Sequence, residues 1–204
     1  MAARQVPEKQ MGSFSDTQIL GGLATLIAFV SYIPYIWTTL KGTTKPHGFM
    51  WFIFGLLMAI GFAAQISDHA GPGAWMNGFS AIVCFFIAFL AFFKGTYQAT
   101  RTDWMAFLGA LAAIPVWLAT DDPLYAVILI TVIDALGFYP TFRKTYFAPH
   151  DELLFTYNLS VIKLVISLLA IENVTIVTTL YPASLVFMNG LFVIVILIRR
   201  KVVS

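Results

Sequence analysis

The sequence predicts an all-α membrane protein with seven transmembrane helices, two parallel triple-helix bundles joined by one linking helix. Three observations predict it. Of 204 residues, 59% are hydrophobic and only 11% are charged, whereas a soluble domain carries about a quarter charged residues. Seven apolar runs approach the length of about 20 residues that a bilayer-crossing helix needs. Basic residues gather on alternate connections between those runs. A net charge of only +2 gives no support to a nucleic-acid partner.

A polar segment of mixed charge, residues 1–17, comes first. It has neither the short apolar core nor the small-residue cleavage site of a signal peptide, so the first run is expected to be retained. The runs are Gln18–Leu40, Gly48–Ser67, Gly73–Phe93, Asp103–Thr120, Leu124–Phe142, Leu153–Ile171 and Val174–Ile198. The first holds an interior proline, Pro34, and breaks into a polar loop with Lys41 and Lys45. The third holds Cys84, the single cysteine, which has no intrachain disulfide partner and reads as packing. The fourth is the weakest, being short and interrupted by Pro115. The fifth carries Asp134 and Pro140, the sixth Lys163, and the seventh ends on Arg199, Arg200 and Lys201. Trp37, Trp75, Trp104 and Trp117 fit interfacial or packing positions.

Charge tests the count of seven. One side of the membrane then carries nine basic residues: Lys41, Lys45, Lys94, Arg101, Arg143, Lys144, Arg199, Arg200 and Lys201. The other side carries Arg4 and Lys9, with Asp68, Asp121, Asp122 and Glu172 in its loops. The positive-inside rule places the N-terminus outside and the C-terminus in the cytoplasm. Short loops favour a plasma (inner) membrane protein.

The chain also repeats. A shift of 106 residues carries Leu23 onto Leu129, Thr25 onto Thr131, Pro34 onto Pro140, Thr39 onto Thr145, Phe49 onto Phe155 and Ala64 onto Ala170. Runs one to three (18–94) thus recur as runs five to seven (122–204), and the fourth (95–121) restores the orientation of the second copy. Such parallel repeats are related by an axis along the membrane normal. An interior proline removes a backbone bond and kinks a helix. Pro34 and Pro140, at matched positions, are read as a pair of hinges.

The segment "IPYIWTTLKGTTKPHGF" resembles the PQ-loop pattern of the SWEET and SemiSWEET sugar transporters, and "YPTF" at Tyr139–Phe142 resembles the corresponding SWEET sequence. "MNGF" at Met76–Phe79 and "MNGL" at Met188–Leu191 resemble the Asn-Gly pair of the third helix in each half. The resemblance covers nearly the whole chain. It implies an alternating-access transporter of a small polar solute, a sugar by analogy, held between the bundles by Asn77 and Asn189. An amide offers donors and an acceptor without charge, which suits a neutral solute. Phe62 stands near the aromatic position late in the second helix. Trp51, its counterpart Tyr157, and Asn158 complete the expected pocket, with Ser160 beside them. Departures accompany these matches. Tyr35 and Thr141 replace the glutamine of the PQ pair, and Leu168 replaces the second aromatic. The two asparagines align at a shift of 112 rather than 106.

Asp134 and Lys163 fall at nearly equal depth in adjacent spans, where an unpaired charge is costly. They are expected either to pair or to serve coupling and substrate binding. Their counterparts in the first half, Ala28 and Leu57, are apolar. His47, His69 and His150 lie in loops on different sides, so no metal site is expected, and no cofactor motif or catalytic set points to an enzyme. The alternatives are a proton-coupled PQ-loop exporter of an amino acid or vitamin-like solute, and a non-transporting receptor or scaffold on the same fold. The expected partners are a small polar solute and the lipid bilayer, with a homo-oligomer left open.

Overall fold

A computed structural model describes residues 15–96, 99–147, 149–151 and 154–202. Among these are seven α-helices: α1 (Asp16–Leu40), α2 (Gly48–Ser67), α3 (Trp75–Lys94), α4 (Arg101–Thr120), α5 (Pro123–Phe147), α6 (Leu154–Leu169) and α7 (Ile176–Val202). A 3-10 turn, Gly71–Ala74, leads into α3, and no strand is present among the described residues. Most of the polar N-terminal segment, residues 1–14, lies outside the described residues.

Among the described residues, five segments are long and apolar enough to cross a membrane: α1, α2, α4, α7, and α3 taken with its 3-10 turn. The apolar stretch Pro123–Tyr139 of α5 and the whole of α6 are shorter. At a rise of about 1.5 Å per residue, the 16 residues of α6 reach about 24 Å, less than the bilayer's hydrocarbon thickness of about 30 Å. Thr156, Ser160, Lys163 and Ser167 dilute its hydropathy.

Local chemistry sets the helix ends. Ser15 and Gln18 form a capping box at the start of α1, and Thr100 and Asp103 form one at α4. Thr175 does the same for α7, exchanging backbone-to-hydroxyl bonds with Thr178 at 2.9 and 3.2 Å. His47 Nδ1 accepts from the Met50 amide at the start of α2. Each satisfies amides that the first helical turn leaves unpaired. Pro123 opens α5, where a missing N–H costs nothing. The helix then runs five residues past the expected end at Phe142.

Helix α3 packs against both α1 and α2, and α7 packs against both α5 and α6. The two groups meet where α1 faces α6 and α2 faces α5, and α4 lies against α2 and α5. One pair of helix starts keeps the spacing of the sequence repeat: α2 and α6 begin 106 residues apart, at Gly48 and Leu154. Alternating helix directions give the molecule two ends. The basic end carries Lys41, Lys94 and Arg199–Lys201. The other, here the turn end, carries the α2–α3 and α6–α7 connections.

Small residues let the turn end close tightly. Gly21 lies under Pro72, whose carbonyl oxygen would stand 2.5 Å from an added Cβ. Gly73 lies against Ile171, whose backbone nitrogen and Cα would be 2.8 Å away. Gly71 adopts φ +63°, a conformation open to glycine, and so turns the chain into α3. Outward-facing Leu26, Phe29, Phe92, Met105 and Leu118 are exposed, as the lipid-facing surface of a membrane bundle would be.

Candidate functional site

A cavity of about 280 Å³ lies between the two helix groups. Helix α1 contributes Ser31, Tyr32 and Tyr35; α2 contributes Trp51, Phe54 and Met58; and α3 contributes Met76, Ser80 and Cys84. From the second group come Asp134, Gly137 and Phe138 of α5, Thr156, Ser160, Lys163 and Leu164 of α6, and Leu185 and Asn189 of α7. Every helix except α4 lines it.

The sequence repeat reappears in this lining. Ser31, Tyr32, Phe54 and Met58 each have a counterpart 106 residues on, namely Gly137, Phe138, Ser160 and Leu164, and all eight line the cavity. On α3 and α7 the offset becomes 109, pairing Met76 with Leu185 and Ser80 with Asn189. The Asn-Gly motifs align at 112, three residues and nearly one helical turn away. Ser80, not Asn77, therefore shares the cavity lining with Asn189.

The two asparagines have different surroundings. Asn189 lines the cavity, and its Nδ2 donates to the Leu185 carbonyl at 2.8 Å. Asn77 is fully buried away from the lining, and its Nδ2 donates to Gln65 Oε1 at 2.8 Å. Gln65 Nε2 in turn donates to the Thr178 carbonyl at 2.9 Å. Pro182 lies inside α7 and has no N–H to offer to that same carbonyl four residues earlier. Gln65 thus replaces the helical bond that Pro182 removes, and Asn77 orients Gln65.

The other expected pocket residues divide likewise. Trp51 lines the cavity, donating from Nε1 to the Tyr35 hydroxyl at 3.0 Å with the two rings 4.9 Å apart. Phe62 lies elsewhere: it packs beside Ala70, Ala74 and Ile171, and its ring covers Gly78. Tyr157 packs on Phe192 with ring centroids 4.3 Å apart, outside the lining. Asn158 is exposed on the outer surface of α6. Thr156 and Ser160, two residues to either side, face inward instead. Pro34 lies within α1 and is exposed. Pro140 falls in α5, and its side chain lies outside the described residues.

Asp134 and Lys163 are both buried, at 6% and 8% exposure, and both line the cavity. Among the described residues they form no ion pair with each other or with any other group. The Lys163 ammonium stands 5.0 Å over the Tyr32 ring centroid. The expected alternative of a structural Asp134–Lys163 pair therefore gives way to two separate charges in one cavity. Asp134 also borders a smaller cavity of about 80 Å³, which runs between α2, α4 and α5 to Thr102 and Asp103. Ala28 and Leu57, the counterparts in the first half, sit in the apolar core. The cavity thus has a largely aromatic wall on α1 and α2, and a charged, hydroxyl-bearing wall on α5 and α6.

Hydrogen bonds close the turn end across the two groups. Gln65 Nε2 bonds the Thr178 carbonyl, as above, and Ser167 Oγ donates to the Gly73 carbonyl at 2.7 Å. The Glu172 amide donates to the Ala70 carbonyl at 3.0 Å. Asn173 Nδ2 donates to the Asp68 carbonyl at 2.8 Å, and the Thr175 hydroxyl donates to the Asp68 carboxylate. Thr17 Oγ1 donates to Glu172 Oε1 at 2.9 Å. Among the described residues, the basic end has bonds of a different kind. There the Gly48 amide bonds the Thr96 carbonyl at 2.8 Å, and Arg199 Nε bonds the Tyr146 carbonyl at 2.8 Å. Both bonds stay within one group. Trp51 and Thr156, each within a turn of its helix start, carry the cavity lining toward that basic end.

No protein-family model, curated protein or solved structure matches the chain. The reading of the site rests on its own geometry.

Proposed function

We propose that the protein is a membrane transporter that moves a small polar solute by alternating access between two parallel triple-helix bundles, α1–α3 and α5–α7, linked by α4. In this reading it is a SWEET-like PQ-loop carrier with the N-terminus outside and the basic end in the cytoplasm. The observation that carries it is the asymmetry of the central cavity. Six hydrogen bonds tie the bundles together at the turn end, while the cavity lining extends toward the basic end. Under the positive-inside orientation, that is a carrier closed outside and facing the cytoplasm.

The paired lining residues support the same reading, because two repeats packed about an axis along the membrane normal bring equivalent faces onto a shared central site. The cavity volume of about 280 Å³ sits near the lower end of the usual range for small-molecule pockets, about 300–1,000 Å³. A solute the size of a monosaccharide or an amino acid fits it. A second reading, proton-coupled export, draws on one observation: Asp134 borders both the central cavity and the smaller one reaching Asp103.

Flux into proteoliposomes tests both. A panel of labelled sugars, amino acids and vitamins is offered with and without a pH gradient, to wild type, Asn189→Ala and Asp134→Asn. Solute flux that falls in Asn189→Ala and ignores the gradient supports the uniporter. Flux driven by the gradient and lost in Asp134→Asn supports proton coupling. A folded protein that moves no solute contradicts transport and favours a receptor or scaffold.

A further inference from the structure

From the two separated charges in the cavity we infer that the solute is a small zwitterion, its anionic group set on Lys163 and its cationic group on Asp134. The inference rests on the cavity being a solute site, as proposed above, and names the chemistry of what enters it.

A buried ionisable group without a partner is costly to charge, and its charged form persists where a ligand or water completes it. Asp134 and Lys163 both meet that description, and their separation decides the class of ligand. If they touched, they would neutralise each other and the cavity would suit a neutral solute. Instead they face the same space from α5 and α6 without an ion pair, so a molecule between them meets one charge of each sign. A sugar would leave both unneutralised. A simple anion or cation would leave one.

The rest of the lining agrees. Tyr32 holds the Lys163 ammonium over its ring, which fixes the charge in place without neutralising it. The opposite wall of Tyr35, Trp51 and Phe54 gives an apolar side chain of the solute a surface to lie on. Ala28 and Leu57 occupy the repeat-related positions in the first half. Both charges therefore lie on one wall, and the solute has a single orientation.

The test is thermal stabilisation of the purified full-length protein in detergent, using matched probes. Leucine, phenylalanine and 4-aminobutyrate are compared with their N-acetyl derivatives, their carboxamides and glucose. At least one zwitterion should raise Tm, and blocking either of its charged ends should weaken binding by about thirtyfold or more, since each buried charge-assisted contact is strong. Lys163→Met and Asp134→Asn should each lose the preference for the zwitterion over its singly charged derivative. Should either variant fail to fold, the comparison of derivatives on wild type still decides. Glucose or a singly blocked derivative stabilising as well as the zwitterion would overturn the inference, and so would a folded protein that no zwitterion stabilises. Glucose that binds and crosses the membrane would leave transport standing and remove the zwitterion. A zwitterion that binds without crossing would keep the site and remove transport.

Discussion

Pro182 shows how a single residue reaches across the molecule. Its missing N–H frees the Thr178 carbonyl inside a buried helix, where an unpaired acceptor is expensive. Gln65 supplies the replacement bond from α2, and Asn77 holds Gln65 in place from α3. Gln65→Leu should therefore cost about 1–3 kcal/mol, since it leaves a buried carbonyl and the Asn77 amide without partners. A lower unfolding temperature in detergent would register it, and an unchanged one would show that the Gln65–Thr178 bond does not stabilise the fold. The two asparagines should separate in the same experiment. Asn77→Ala is expected to lower stability, while Asn189→Ala should weaken solute binding with little change in unfolding temperature. The motif that drew attention to both could not distinguish them. Asn-Gly at matched ends of two helices is visible in sequence; the one-turn difference in register, which turns Ser80 rather than Asn77 toward the cavity, is a property of packing.

At the scale of elements, glycines set which surfaces approach and which stay open. Gly73 lies against the backbone of Ile171, so a side chain there forces the α2–α3 turn away from the end of α6. Gly73→Val should loosen the turn end, and faster hydrogen exchange at Ala70 and Glu172 would report it. Gly137 is the opposite case. A Cβ added there meets nothing within 4 Å, and the residue lines the cavity. Gly137→Leu is expected to fold like wild type, fill the cavity and abolish solute binding; retained binding would move the site elsewhere. The helix locations were legible in hydropathy because bilayer length constrains them. Their ends were less so. Helix α5 runs on past Phe142 with polar and basic residues that a hydropathy reading stops at. Helix α6 is harder to read because its lining hydroxyls and Lys163 interrupt its apolar positions. The prolines are legible as breaks, yet nothing in the sequence marks Pro182, in the interior of the last helix and paired by the 106-residue shift with Met76, as one whose lost bond another helix replaces.

Among the described residues, α1–α3 and α5–α7 meet around one cavity and are hydrogen-bonded to each other at the turn end, with α4 against α2 and α5. The repeat offset of 106 read in sequence recurs in eight lining residues, as the proposed pair of parallel repeats about a shared axis would require. The charges were legible as an anomaly, since Asp134 and Lys163 interrupt apolar runs. Their relation was not, because equal depth in consecutive helices fits a pair and a separated couple equally well. In the proposed transport cycle, rocking of one group against the other would require the turn-end bonds to break and re-form. Cysteines at Asp68 and Thr175, whose side chains are hydrogen-bonded across that end, can lock it. The most direct test is solute flux through the Asp68→Cys, Thr175→Cys double variant in proteoliposomes, oxidised and then reduced, beside each single variant. The account predicts that the cross-link stops flux, that reduction restores it, and that neither single variant responds. Undiminished flux through the fully cross-linked protein would contradict alternating access between the two groups.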